Sequence, residues 1–171
     1  VARCPDVKTV NVGGGLGVPH HASDGQLDLS QWSAILRKHF SGRQLRVEIE
    51  PGEYLVKDSG ILLLGKTFEE TKQTTRFVGV DAGFNLAPEP AYYGLPFQPL
   101  APSCHGALSQ CTVVGNINEA LDVWYRDAWL PDLQNQDALV LINAGAYSAS
   151  MASNHCMRGE FREFLLPDVR R

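Results

Sequence analysis

The 171-residue chain has no excess of positive charge: 15 Lys and Arg stand against 19 Asp and Glu, a formal net charge of −4. No basic stripe is left to neutralise a phosphate backbone or an anionic bilayer, so nucleic acid and membrane are not expected partners. No apolar run is long enough to span a bilayer. Cysteine is scarce, with Cys4, Cys104, Cys111 and Cys156, and none of the spacings is the short pairing of a zinc site. A looser set of Cys104, His105, Cys111, His155 and Cys156 lacks regular spacing, so the expectation is reduced thiols in a cytoplasmic protein and no metal. Internal repeats and low-complexity tracts are missing. So is the dinucleotide fingerprint, since G-x-G-x-x-G counted from Gly13 puts Val18 in the last slot. The chain starts at Val1 and not at Met, which implies processing or an upstream part and leaves a leader segment open.

What is present suits one globular domain with a real core: 44% of residues are hydrophobic and 20% charged. Thr9-Val10-Asn11-Val12 reads as a buried strand that stops at Gly13-Gly14-Gly15. Glycines in series let the backbone bend sharply and present N–H groups to an anion, which is phosphate chemistry; the same cluster also suits a tight turn. His20-His21 falls in a polar connection and reads as solvated loop. Asp28 or Ser30 caps a helix running to about Phe40, with Trp32, Ile35, Leu36 and Phe40 on one face and Arg37, Lys38 and His39 in the last turn. Leu45 to Glu50 is a second strand. Strand, glycine loop, helix and strand make one βα repeat and the start of the next, a pattern of parallel strands.

The pattern then changes. Ile61–Leu64, Phe77–Val80, Cys111–Val114 and Ala138–Ile142 are short strands, 65–76 suits a hairpin connection, and the prolines from Pro88 to Pro99 cannot sit inside a sheet. Ser150 to Glu160 reads as a returning helix. The expected fold class is α/β plus β: residues 1–56 as strands and a helix of a (β/α)8 barrel, and residues 57–171 as a mainly antiparallel β-domain whose last segment returns to the barrel. Residues 1–56 hold too few strands to close such a barrel, which takes about 250 residues. The chain is therefore expected to be incomplete.

Three segments, Gly13-Gly14-Gly15, Glu48-Ile49-Glu50-Pro51-Gly52-Glu53-Tyr54-Leu55-Val56 and Asn143-Ala144-Gly145-Ala146-Tyr147-Ser148, together resemble the diaminopimelate, ornithine and arginine decarboxylases. That family uses pyridoxal 5′-phosphate on an alanine-racemase-like barrel. The resemblance implies a pyridoxal-phosphate site in which Gly13, Gly14 and Gly15 form the phosphate cup, Tyr147 adds a hydroxyl to the phosphate, and Glu50 keeps the pyridine nitrogen protonated. It also implies a homodimer with shared active sites. The family's Schiff-base lysine ends the first barrel strand. None of Lys8, Lys38, Lys57, Lys66 and Lys72, all in helix, loop or edge contexts by sequence, matches it, so that lysine is not expected in this chain.

Three departures bear on substrate. The family's Glu-Pro-Gly-Arg is Glu50-Pro51-Gly52-Glu53 here, and Glu89 stands where diaminopimelate decarboxylases place an arginine, while Tyr93 keeps its match. Reversed charge at Glu53 and Glu89 disfavours a distal carboxylate and suits a distal ammonium. In Gly115-Asn116-Ile117-Asn118-Glu119, Glu119 retains the acidic substrate contact, but Asn118 takes the position of the catalytic cysteine and has no usable acid proton. Arg158 matches a structural position. The expected function is decarboxylation of a basic diamino acid of the lysine or ornithine type, in the manner of a D-ornithine or D-lysine decarboxylase. The alternatives are a diaminopimelate decarboxylase, a non-catalytic regulatory relative, or a phosphosugar-binding barrel fragment.

Overall fold

The computed structural model describes residues 4, 6–21 and 23–167; Val1, where the chain starts, and Ala22 of the polar connection lie outside the described residues. Strand β1 (Thr9–Asn11) and strand β2 (Arg46–Glu48) pair in parallel, with Val10 opposite Val47. Helix α1 (Leu29–Phe40) makes the crossover between them. Asp28 caps the helix by accepting from the Ser30 and Gln31 amides at 2.9 and 3.0 Å, and Arg37, Lys38 and His39 face the negative end of its dipole. Trp32, Leu36 and Phe40 are half-buried, whereas Ile35, expected on the same face, is 51% exposed.

A five-residue helix α2 (Gly52–Val56) and a 3-10 turn (Lys57–Ser59) lead into a six-stranded sheet. Its strands are β3 (Ile61–Lys72), β4 (Thr75–Val80), β5 (Pro99–Leu100), β6 (Ser109–Val114), β7 (Val123–Leu130) and β8 (Ala138–Ile142), in the order β5-β8-β3-β4-β6-β7. The long β3 serves two neighbours: residues 61–65 pair with β8, and after a bulge between Lys66 and Phe68 the rest pairs with β4. The hairpin expected over 65–76 is thus strand on both sides of a turn at Gln73-Thr74.

The sheet is mainly antiparallel, as expected, with one parallel pair, β4 and β6, in which Phe77 stands opposite Thr112; the chain between them, including helix α3 (Glu89–Tyr93), carries it back to the starting end. Strand β7 interrupts its alternation at Arg126-Asp127, where Asp127 takes φ +57° and the pairing shifts register, so no clean period of two marks it. The returning helix is instead two 3-10 turns (Ala149–Met151 and His155–Met157), and Cys156 and Met157 adopt left-handed backbone. The proline-rich segment behaves as proline requires: only Pro99–Leu100 joins the sheet, at its edge.

The core lies on one face of this sheet. Val78, Val80, Cys111, Val113, Trp124, Leu130, Leu139 and Leu141 are at most 2% exposed. The Trp124 ring stacks on Phe97 at 6.3 Å, and its indole N–H donates to the Ala82 carbonyl at 3.0 Å. Burial pushes the Cys111 thiol up, so it stays a thiol and packs as a small apolar group.

Two features bind the strand pair to the sheet. First, the ammonium of Lys57, which is fully buried, bonds to the Glu89 carboxylate, lies 3.6 Å from the Glu53 carboxylate and sits 4.8 Å over the Phe97 ring. Burial pushes this ammonium below its usual range and Glu53 opposes that shift. Glu53 in turn meets the His20 ring at 3.1 Å. Second, the segment after β8 docks on the 56–60 turn: Gly145 N–H donates to the Lys57 carbonyl and Ala144 N–H to the Gly60 carbonyl, both at 2.9 Å. The approach is so close that a Cβ on Gly145 would collide with the Val56 carbonyl and lie 2.7 Å from Ser59 Oγ.

Both features give testable outcomes in the intact protein. Lys57→Met leaves Glu89 buried without a partner and is expected to cost about 3–5 kcal/mol in urea denaturation, most of it recovered in the Lys57→Met, Glu89→Leu double variant. Gly145→Ala is expected to cost about 1–3 kcal/mol or more by overpacking, whereas Gly25→Ala, with open space around its Cβ, stays neutral.

Candidate active site

The glycine loop opens directly from β1. Gly13 and Gly15 have φ of +78° and +82°, a region that a side chain makes costly, and a Cβ on Gly14 would collide with the Glu50 carbonyl. The loop is fixed to the end of β2 by Glu50 N–H donating to the Gly13 carbonyl at 2.8 Å. Leu16, 8% exposed, anchors its far side. A residue absent from the sequence reading completes the joint. Asn11 accepts from the Gly13 amide at 2.7 Å and donates to Glu50 Oε1 at 2.6 Å, orienting the carboxylate and the loop together. The signal was available as a polar amide inside a β-branched run, two positions before the glycines.

Glu50 is exposed at the strand end, and the chain turns at once, with Gly52 N–H donating to the Glu50 carbonyl at 2.9 Å. The hydroxyl of Tyr147 stands 3.0 Å from where Gly52 would carry a Cβ, so a larger residue there would press on it. Tyr147 itself is 43% exposed and held at φ +55°. The structure therefore brings Gly13, Gly14, Gly15, Glu50 and Tyr147 to one end of the strand pair: loop against Glu50, and Tyr147 against the residue two steps after Glu50. These residues fit a bound phosphoryl group, with an open cradle of backbone N–H groups that Cβ atoms would fill, and a hydroxyl nearby.

Beyond Gly52 lies the charged set. Glu53 is flanked by His20 and Lys57, and the His20 ring also contacts the Pro96 carbonyl at 3.3 Å. His21 meets the Tyr125 hydroxyl at 3.1 Å. The solvated-loop expectation for His20-His21 is thereby corrected: Asp24 accepts from both backbone amides at 2.8 Å and tucks the turn in, which brings the two rings onto partners. Lys57 lies in the 3-10 turn after α2, within the helix, loop or edge contexts expected of the lysines, but the turn aims it inward, under Phe97. Glu89 is 2% exposed and committed to Lys57. Tyr93 lies four residues on, 61% exposed at the end of α3.

Asn118 and Glu119 stand elsewhere, in the exposed loop between β6 and β7. Glu119 bonds to the His155 ring. Asp122, also missed in the sequence, organises this loop: 4% exposed, it accepts from the Ile117 amide at 2.6 Å and from the Phe84 amide at 2.7 Å. Burial pushes its carboxyl up and the two amides pull it back. Arg158 acts through its backbone, its carbonyl accepting from the buried Asn85 at 2.9 Å. Of the lysines, Lys57 and Lys66 are buried in ion pairs and Lys8, Lys38 and Lys72 are exposed.

Comparison with known proteins agrees with this geometry. The pattern described as "Pyridoxal-dependent decarboxylase, pyridoxal binding domain" matches residues 4–57, and "Pyridoxal-dependent decarboxylase, C-terminal sheet domain" matches residues 53–145. The chain is 34% identical over 163 residues to the diaminopimelate decarboxylase of Campylobacter jejuni, and 34% identical over 165 residues to that of Helicobacter pylori. Each alignment covers 95% of this chain and 40% of the relative, so the chain spans about two-fifths of their length. The crystal structure of the Helicobacter pylori diaminopimelate decarboxylase complexed with L-lysine superposes with a TM-score of 0.77 at 33% identity, over 92% of this chain and 39% of that one. A lysine/ornithine decarboxylase from Vibrio vulnificus complexed with cadaverine shares the fold at 18% identity, with a TM-score of 0.74 over 88% of this chain and 41% of that one. Strand pair, glycine loop and mixed sheet are thus parts of one known architecture, and the chain belongs to the pyridoxal-dependent decarboxylase family.

Proposed function

We propose that this chain forms part of a pyridoxal-phosphate-dependent decarboxylase of a diamino acid, with diaminopimelate as the first substrate to test. The observation that carries the reading is the meeting of the Gly13–Gly15 loop, the Asn11-oriented Glu50 and the Tyr147 hydroxyl at one end of the strand pair. The amides of Gly14 and Gly15 and the Tyr147 hydroxyl would hold the phosphoryl group. Glu50, kept aimed by Asn11, would keep the pyridine nitrogen protonated. Pyridoxal phosphate, when bound, supplies the electron sink that makes loss of CO2 feasible.

That the relatives from Campylobacter jejuni and Helicobacter pylori are diaminopimelate decarboxylases favours diaminopimelate over the lysine or ornithine type. The pairing geometry removes part of the charge argument against a diacid, because the Lys57 ammonium offsets one of the two carboxylate charges of Glu53 and Glu89. A second reading, a monocarboxylic diamino acid of the lysine or ornithine type, is favoured by one observation. Neither position 53 nor position 89 carries an arginine, and with His20 neutral the Glu53-Lys57-Glu89 set keeps one net negative charge. In both readings Glu53, Tyr93, Glu119 and Asn118 line the substrate side. Glu89 acts only through Lys57 and Glu53. A homodimer in which the Asn118-Glu119 loop serves the other copy's site, and a cytoplasmic location, complete the proposal. Among the described residues, no helix is long and apolar enough to cross a membrane.

The test measures CO2 release by the intact protein from meso-diaminopimelate, L-lysine, L-ornithine, D-lysine and D-ornithine, with pyridoxal phosphate supplied. Turnover of diaminopimelate is expected. Turnover of a monocarboxylic substrate alone selects the second reading, and no turnover of any overturns both. Tyr147→Phe is expected to weaken cofactor retention roughly ten- to hundredfold, the worth of one hydrogen bond to a charged group. Glu50→Ala is expected to abolish turnover while leaving the phosphate contacts in place.

A further inference from the structure

Outside the cup, one group of side chains has the chemistry of a ligand set. A carboxylate oxygen of Glu119, a ring nitrogen of His155 and the Cys156 sulfur lie within 4.8 Å of one another. They come from two distant loops, and the fold holds both loops in place from one point. Asn85, 1% exposed, donates to the Ser153 and Arg158 carbonyls at 3.0 and 2.9 Å, which clamps the segment carrying His155 and Cys156 at both ends. Its neighbour Phe84 packs its ring 5.2 Å from the imidazole. The Phe84 amide shares the buried Asp122 carboxylate with Ile117, two residues before Glu119. The Phe84 ring thus packs on the imidazole, while Asp122 ties the Phe84 backbone to the loop that carries Glu119. The left-handed φ of +52° at Cys156 turns its thiol toward the other two groups at a cost in backbone strain.

We propose that Glu119, His155 and Cys156 form a three-ligand site for a borderline divalent transition ion, Zn2+ foremost, with a fourth position open to water or an external donor. Thiolate, imidazole and carboxylate are the donor types that zinc accepts, and one of each leaves a 2+ ion electrically balanced. Tetrahedral bonds of about 2.0–2.3 Å put ligand atoms about 3.3–3.7 Å apart, so closure needs an ångström or so of side-chain rotation. Cys156 is exposed and free, and Glu119 and His155 are each more than a third exposed, so the side chains can turn and an ion can enter. Without metal, His155 Nε2 and the Glu119 carboxylate are hydrogen-bonded to each other. On binding, the ring nitrogen that meets the ion must be free of its proton and the Cys156 thiol releases its own to solvent, so affinity rises with pH.

The proposed function places the same Glu119 carboxylate beside substrate, so metal and substrate would compete for it; the test therefore titrates the metal-free intact protein with Co2+ with no amino-acid substrate present, and its outcome is independent of the decarboxylase reading. One Co2+ per chain is expected, with the intense visible absorption of a tetrahedral site and a thiolate-to-cobalt band in the difference spectrum against Cys156→Ser. Zn2+ displaces it. Cys156→Ser, His155→Asn and Glu119→Gln should each weaken binding by about tenfold or more, while Cys104→Ser leaves it unchanged. Absence of Co2+ binding, a weakly absorbing octahedral form, or an affinity that Cys156→Ser and His155→Asn leave unaltered overturns the proposal.

Discussion

The ammonium of Lys57 is the point on which the rest of the structure turns. A fully buried cation survives only when its charge is answered, and here the answer comes from two directions: Glu53 on its own helix and Glu89 on α3, across the boundary between the strand pair and the sheet. The aromatic face of Phe97 completes the shell. Because Glu53 follows Glu50-Pro51-Gly52 directly, the pairing does more than join two elements. It fixes the chain leaving Glu50 and, through Gly52, the floor on which the Tyr147 hydroxyl rests.

From that fixed point the two halves of the proposed cofactor site acquire their relation. The glycine loop is tied to Glu50 through Asn11 and a backbone bond, and Tyr147 is tied to the 56–60 turn through Gly145 and Ala144. Both ties end within a few residues of Lys57. Hydrogen bonds of this kind are worth only about 0.5–1.5 kcal/mol each, so it is their convergence on one buried charge that gives the site a defined shape. The second loop system, around Asp122 and Asn85, repeats the logic with a carboxylate and an amide and positions Glu119 and His155.

Much of this was legible in the amino-acid order. The strand, glycine, helix, strand sequence gives the parallel pair directly, because period and punctuation are local. The Glu-Pro-Gly and Ala-Gly-Ala-Tyr segments point to the site by resemblance. What escaped reading is non-local. Lys57 looks like an ordinary surface residue beside Asp58 until Glu89, 32 positions away, is brought to it. Glu53 and Glu89, read as free carboxylates awaiting an ammonium, have already found one inside the protein. Strand β7 hides behind an irregular residue, and the parallel pairing of β4 with β6 depends on a long connection whose path no local pattern specifies. Cys156 and His155 carry no paired spacing with Glu119, so their meeting is visible only in three dimensions.

The central claim is that the Gly13–Gly15 loop, Glu50 and Tyr147 grip one cofactor. It is tested most directly by a crystal structure of the intact protein with pyridoxal phosphate bound. The account predicts phosphoryl oxygens within hydrogen-bond reach of the Gly14 and Gly15 amides and the Tyr147 hydroxyl, with the Glu50 carboxylate at the ring nitrogen. A phosphoryl group seated away from the glycine loop, or a Glu50 carboxylate turned from the ring, would contradict it.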